Sequence, residues 1–183
     1  MPKRAARGAC NIDVLVESAL WSRIGRIKAL LRRAVGAAAT ELSTGKVELA
    51  IVLTDDSAIR LLNRQWRGID KATNVLSFPT REARGEAGGH PLLIGDVVLA
   101  HQTIAREADA EGKPFAHHLA HLAVHGFLHL NGYDHERDED AEAMEQLERR
   151  ILRRLRIADP YGPGARVAKK AAKPRARHAG APR

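Results

Sequence analysis

Residues 74–100 read NVLSFPTREARGEAGGHPLLIGDVVLA. Two apolar runs of strand length, 74–78 and 92–100, stand at its ends, rich in the branched residues that suit a pleated surface. Pro79 stops the first run, and Gly95-Asp96 interrupts the second, which suggests a bulge or a close approach to a ligand. Between them, residues 80–91 are polar and glycine-rich and read as a mobile loop. No helical periodicity separates the two runs. Parallel neighbours need a long crossover, whereas strands that follow one another directly pair antiparallel. An all-parallel doubly wound sheet is therefore disfavoured.

The segments on either side complete the pattern. IDVLV at 12–16 reads as a short strand, and residues 19–39 space Leu20, Ile24, Ile27, Leu31 and Val35 as one helix. VELAIVLT at 47–54 alternates Val47, Leu49, Ile51 and Leu53, a strand with one strongly buried face. Thr54, Asp55 and Asp56 then offer caps for a helix through SAIRLLNRQW. After the second strand of the opening stretch come HQTIAREADAEG, FAHHLAHLAVHGFLHL and DEDAEAMEQLERRILRRLRI, three helices in succession. The last begins acidic and ends basic, as the helix dipole favours. The expected fold class is α+β: a small mixed sheet of about four strands packed with about five helices.

Composition narrows the function classes. The chain has 183 residues and a formal net charge of +8, which by itself suggests a nucleic-acid binder. The charge is unevenly placed. Residues 160–183 hold seven Lys/Arg and no acid, and residues 1–10 hold three more, leaving 20 basic and 22 acidic residues between them. Positive tails raise phosphate affinity without selecting a sequence. Residues 1–10 read as a basic flexible N-terminus and 162–183 as a disordered basic tail of Ala, Lys, Arg and Pro. With one cysteine, Cys10, neither an internal disulfide nor a cysteine-type zinc site is possible. No apolar run forms a signal peptide or a membrane span, so a cytoplasmic protein is expected.

Six of the nine histidines fall between 117 and 135. His125 and His129 are four residues apart, so a helix points both at one spot. Gly132 permits a left-handed residue that reverses the chain and carries His135 back over the helix end. Three neutral imidazoles on one point suit one zinc ion, and a fourth, open position marks a catalytic site. The metal site is thus expected at the end of a long central helix. The spacing H-x3-H-x2-G-x2-H matches the metzincin protease pattern in its ligands and its glycine. Those proteases carry a glutamate directly after the first histidine as general base. Here that position is Gly126. The cage is present and the peptidase base is missing. His121, one turn earlier, reads as a supporting or packing residue, because a fourth histidine ligand would close the site. His117 and His118 read as structural or exposed. Asp134 either orients a ligand or caps the next helix.

HGFLHLNGYDHE, preceded by HLAHLAV and followed by DEDAEAMEQLERRIL, closely resembles the bacterial YbeY-type endoribonuclease family. LNRQWRGIDKATNVLSFP resembles its arginine-bearing segment and IGDVVLA its glycine-aspartate strand, and the final ADPY also fits. The resemblance covers roughly residues 45–161 in three ordered motifs. Trp66 stands where tyrosine is common and Asn74 where aspartate is common. The resemblance implies a single zinc endoribonuclease domain over 11–161, acting on single-stranded RNA in 16S rRNA 3′-end maturation and ribosome quality control. It implies zinc on His125, His129 and His135, and an activity role for Arg67. The implied partners are ribosomal RNA, the small ribosomal subunit with its proteins or an assembly GTPase, and no membrane. The basic tail would add non-specific RNA affinity by its charge alone.

A guanidinium at Arg67 would meet the charge that builds on phosphoryl oxygens during cleavage; its plain alternative is a surface ion pair. Lys71 reads as a solvated loop residue. Ser77 either lines the site or packs at the sheet end, and Asp96 either meets substrate or satisfies a bulge. The residues leave the proton acceptor open between a zinc-bound hydroxide and attack by the RNA 2′-hydroxyl. Two rival readings remain, a zinc peptidase and a non-enzymatic ribosome-assembly factor with a structural metal.

Overall fold

Strand β1 (Cys10–Val16) pairs in parallel with β2 (Val47–Thr54), which pairs in parallel with β4 (Leu92–Ala100). Strand β3 (Val75–Pro79) lies antiparallel on the outer side of β4, so the sheet order is β1-β2-β4-β3. This is the mixed sheet that two consecutive strands demand. The computed structural model describes residues 10–23, 26–80, 90–135 and 137–162. The expectations for the N-terminus, most of the 80–91 loop and the C-terminal tail fall largely outside these residues.

Five α-helices complete the described fold: α1 (Ile27–Glu41), α2 (Asp56–Arg67), α3 (His101–Ala110), α4 (Phe115–Leu130) and α5 (Asp138–Arg154). The alternation in β2 holds: Val47, Leu49, Ile51 and Leu53 are buried in the main core. That face packs against α1 and α4, and α5 packs on those two helices in turn. The opposite face, through Val98 and Leu76, packs against Ile59 of α2. The core is aliphatic, with Trp21 and Phe127 among its few buried aromatics.

The single helix expected over 19–39 is corrected. Residues Ala19–Arg23 form a 3₁₀ turn, and α1 begins only at Ile27. The Trp21 indole N–H donates to the Thr54 carbonyl at 2.7 Å and its ring meets His101 and Phe115. That anchor fixes the chain at the end of β2 and leaves Leu20 40% exposed, off the buried stripe.

Helix α2 starts on Asp55, whose side chain accepts from the Ala58 amide at 3.0 Å. Asp56 instead accepts from Thr103 and Arg106 and so ties α2 to α3. The Gly95 interruption is a bulge: Glu48 pairs with Leu93 but Leu49 pairs with Gly95. A Cβ at Gly95 would lie 2.1 Å from the Phe78 carbonyl oxygen. The close approach is to the neighbouring strand, and Asp96 beside it is exposed.

Candidate metal centre

Helix α4 runs through the middle of the fold, touching α1, α3, α5, β3 and β4. Ten of its 16 residues are buried, which places His125 and His129 at its C-terminal end with one edge toward solvent. Asn131 donates its side-chain amide to the Phe127 carbonyl, and Gly132 takes φ +84°. The Tyr133 amide then closes on the Leu128 carbonyl at 3.1 Å, a left-handed helix end of the kind glycine permits. Asp134 accepts from the His135 amide at 2.7 Å. It therefore stabilises the turn that delivers His135. Helix α5 has Arg137 at its N-cap with no side-chain cap bond, so Asp134 is not that cap.

The three rings converge. Ring centroids are 4.6 Å apart for His125–His129, 5.0 Å for His129–His135 and 5.6 Å for His125–His135. One ring nitrogen from each lies within 4.8 Å of the others. The Nε2 atoms of His125 and His129 are 3.1 Å apart. A tetrahedral ion with bonds of about 2.0–2.1 Å sets its ligand nitrogens about 3.3 Å apart. Burial first, then the charges of His125 and His135, push the His129 imidazole down to about 4. His129 is thus held neutral, the form that ligates a cation. The donor set and spacing fit one borderline-soft divalent ion such as zinc.

Behind His125 lies a residue that its position in the sequence did not single out. Glu148 of α5 is 0% exposed, and its Oε1 is 2.7 Å from His125 Nδ1. Its Oε2 accepts from the Tyr161 hydroxyl and lies 3.4 Å from His121 Nε2. Burial alone would raise the Glu148 carboxyl, but the hydrogen bonds from His121 and His125 outweigh it and hold it well below the usual carboxylate range. Burial and the Glu148 charge push the Tyr161 hydroxyl far up, so it stays a donor. A signal for Glu148 did exist. It shares the buried stripe of α5 with Met144, Leu147, Ile151 and Leu152, and a carboxylate on an apolar stripe requires a partner.

The other expected residues divide. His121 supports from behind rather than joining the three-ring cluster. His118 is buried and bonded to Glu107 at 2.8 Å, a structural role. Ser77 packs: its Oγ donates to the Gly126 carbonyl at 3.2 Å. Lys71 is exposed on its loop. Arg67 is exposed at the last turn of α2, on the sheet face opposite α4. No hydrogen bond or ion pair joins it to the histidines among the described residues. Between the two lies edge strand β3, with Ser77 turned to α4 and Phe78 turned to Trp66 at a ring distance of 6.0 Å.

Gly126 has a positive explanation. An ideal Cβ there would lie 2.7 Å from Val97 Cγ1 and 3.2 Å from Ser77 Oγ. The position faces β4, not the three rings, and there is no room for a glutamate.

An α+β protein whose central buried helix ends in three converging imidazoles on a helical His-x3-His pair and its following turn offers a group that could hold one metal ion. Comparison with known proteins narrows that reading. A family model described as endoribonuclease YbeY matches residues 18–156, and the chain belongs to that family. A relative from Rhodopseudomonas palustris (strain BisB18), named endoribonuclease YbeY, is 54% identical and covers 85% of this chain and 94% of its own. One from Nitrobacter hamburgensis with the same name is 50% identical over 91% of this chain and 96% of its own. One from Bradyrhizobium diazoefficiens is 55% identical over 81% and 84%. Among solved structures, a solution structure of a Thermotoga maritima protein aligns with 25% identity, a TM-score of 0.49, and coverage of 84% and 94%. Among the described residues no helix is long and apolar enough to cross a membrane.

Proposed function

We propose that this protein is a zinc-dependent endoribonuclease cutting single-stranded RNA, acting in the cytoplasm in 16S rRNA 3′-end maturation and ribosome quality control. One observation carries the reading: three imidazoles converge on one point in a chain that belongs to the endoribonuclease YbeY family. Small-subunit RNA and proteins, or an assembly GTPase, are the partners this role requires.

His125, His129 and His135 would hold the ion. When bound, zinc brings the pKa of a coordinated water near 7 and polarises a phosphoryl oxygen. The chain supplies the rest. Burial keeps His129 neutral, the Gly132 turn returns His135, and Glu148 fixes His125. Arg67 offers a permanent charge suited to a phosphate. Lying across β3 from the histidines, it would grip RNA that bends over this edge. The blocked position at Gly126 weighs against a peptidase. His121, turned to Glu148 and Tyr161, weighs against a closed four-histidine structural site.

The test uses purified protein, metal analysis and a single-stranded RNA substrate. His125→Ala should lose zinc and cleavage together, and Arg67→Ala should keep zinc and lose cleavage. Zinc-loaded wild-type protein that leaves the RNA intact beside an active control would overturn the activity. An Arg67→Ala variant with unchanged cleavage would remove Arg67 from it.

A further inference from the structure

The buried group behind the three histidines is a second cluster in its own right. His121, His125 and Glu148 also offer donor atoms within 4.8 Å of one another, so they must be either a second ion site or a support. The hydrogen bonds decide. Both carboxylate oxygens are already committed, Oε1 to His125 Nδ1, Oε2 to the Tyr161 hydroxyl and toward His121 Nε2. Glu148 has no exposure through which an ion with waters would enter. His121 Nδ1 is buried with no hydrogen-bond partner. An orphaned N–H there would cost a full desolvation penalty, so His121 carries its proton on Nε2, the nitrogen facing Glu148. Every group around the carboxylate is then a donor, and a cation has no place among them.

An ionised carboxylate only accepts. His125 must therefore donate from Nδ1, and its one lone pair is left on Nε2, the atom that faces His129 Nε2 at 3.1 Å. Tyr161 reaches this carboxylate from the segment after α5, beyond the residues matched by the family model. The segment is itself held: Lys113 Nζ donates to the Pro160 carbonyl at 3.1 Å, and the Arg149 guanidinium lies 5.0 Å over the Tyr161 ring.

We propose that Glu148 is the positioning residue of the metal site, fixing His125 as the Nδ1–H tautomer with Nε2 free for the ion, and that Tyr161 anchors Glu148. The proposal rests on the three-histidine metal reading. It assigns the strength of the site to a carboxylate that never touches the ion, and it makes the segment at 157–162 part of the site. A carboxylate or carbonyl behind a ligand imidazole commonly sets metal affinity by roughly 10- to 100-fold.

The test compares the full-length chain with Glu148→Gln and Tyr161→Phe. Zinc affinity is measured by competition with a chromophoric chelator, and histidine tautomers by long-range ¹H–¹⁵N NMR on metal-free protein. The glutamine keeps size and one acceptor oxygen but loses the charge and offers an amide donor. Glu148→Gln should weaken zinc by roughly 10- to 100-fold and mix the His125 tautomers, with one zinc per wild-type chain. Tyr161→Phe, which keeps the carboxylate should the glutamine variant fail to fold, should weaken zinc by about two- to tenfold, the worth of one hydrogen bond. Affinities within twofold of wild type in both variants would overturn the proposal, as would an Nε2–H tautomer at His125 in the wild type. Two zinc ions per chain would instead make the Glu148 cluster a site. If wild-type protein takes up no zinc, the metal reading fails, and the tautomer measurement still judges Glu148 separately.

Discussion

Gly126→Ala is the smallest change that asks why the residue after the first histidine is bare. The added Cβ would sit 2.7 and 3.1 Å from the two Val97 methyls and 3.2 Å from Ser77 Oγ. Ser77 Oγ ends a rotatable side chain and can withdraw. Val97 cannot do so easily, since it is fully buried in β4 and β-branched. Overpacking of this kind costs about 1–3 kcal/mol. Replacing glycine by alanine inside a helix returns about 1 kcal/mol. The net expectation is a loss of up to about 2 kcal/mol.

The sign reverses once Val97 is shortened. Val97→Ala alone removes two methyl groups from a packed core and costs about 2 kcal/mol or more. In that background the Cβ at position 126 fills vacated space, so Gly126→Ala should stabilise by about 1 kcal/mol. The coupling between the two substitutions is then about 1–3 kcal/mol, the clash itself. Urea unfolding followed by far-ultraviolet circular dichroism, in chelator so that metal binding does not enter, measures all four corners of the cycle. Gly126→Ala that stabilises the wild-type background, or a coupling below about 0.5 kcal/mol, would refute the packing account and reopen the position to a catalytic explanation.

Other expectations follow from single features. In metal-free protein, stability should fall as pH drops from about 6.5 toward 4. His129 is held down at about 4 in the fold, so across this window the unfolded chain takes up the proton first. His129→Gln should remove that part of the slope in pH-dependent unfolding. Gly132→Ala meets no neighbour within 4 Å, so its cost is the left-handed backbone alone, about 1–2 kcal/mol; zinc affinity should drop with it, as His135 follows this turn. Removing residues 163–183, which carry seven Lys/Arg, should lower RNA affinity and flatten its salt dependence, by a log–log slope of about 0.7 per lost phosphate contact. An unchanged slope would show that the tail does not touch RNA.

What could be read from the chain depended on how far the controlling contact lay along it. The alternation in β2, the paired strands β3 and β4, and the His-x3-His pair with Gly132 are periodic or local signals, and each is present in the fold. The break between 19 and 27 is not local. It depends on Trp21 finding the Thr54 carbonyl 33 residues away, while Leu20 and Ile27 at helical spacing suggest continuity. The motif that carries Arg67 runs on into β3, which touches α4, but Arg67 itself lies across the sheet from the histidines, because β3 is an edge strand with α2 and α4 on opposite faces. Glu148 lies 23 residues past His125, in a helix so charged that one more acid draws no notice. Its burial is visible only when α5 is read as a stripe, where every neighbour at that face is apolar. A buried carboxylate survives only beside its donors, and here those donors are the two histidines and the tyrosine that ties the segment after α5 to the histidine cluster. On the proposed metal reading, the histidine motif names the ligands, while the carboxylate that would set how strongly they bind lies on a different helix.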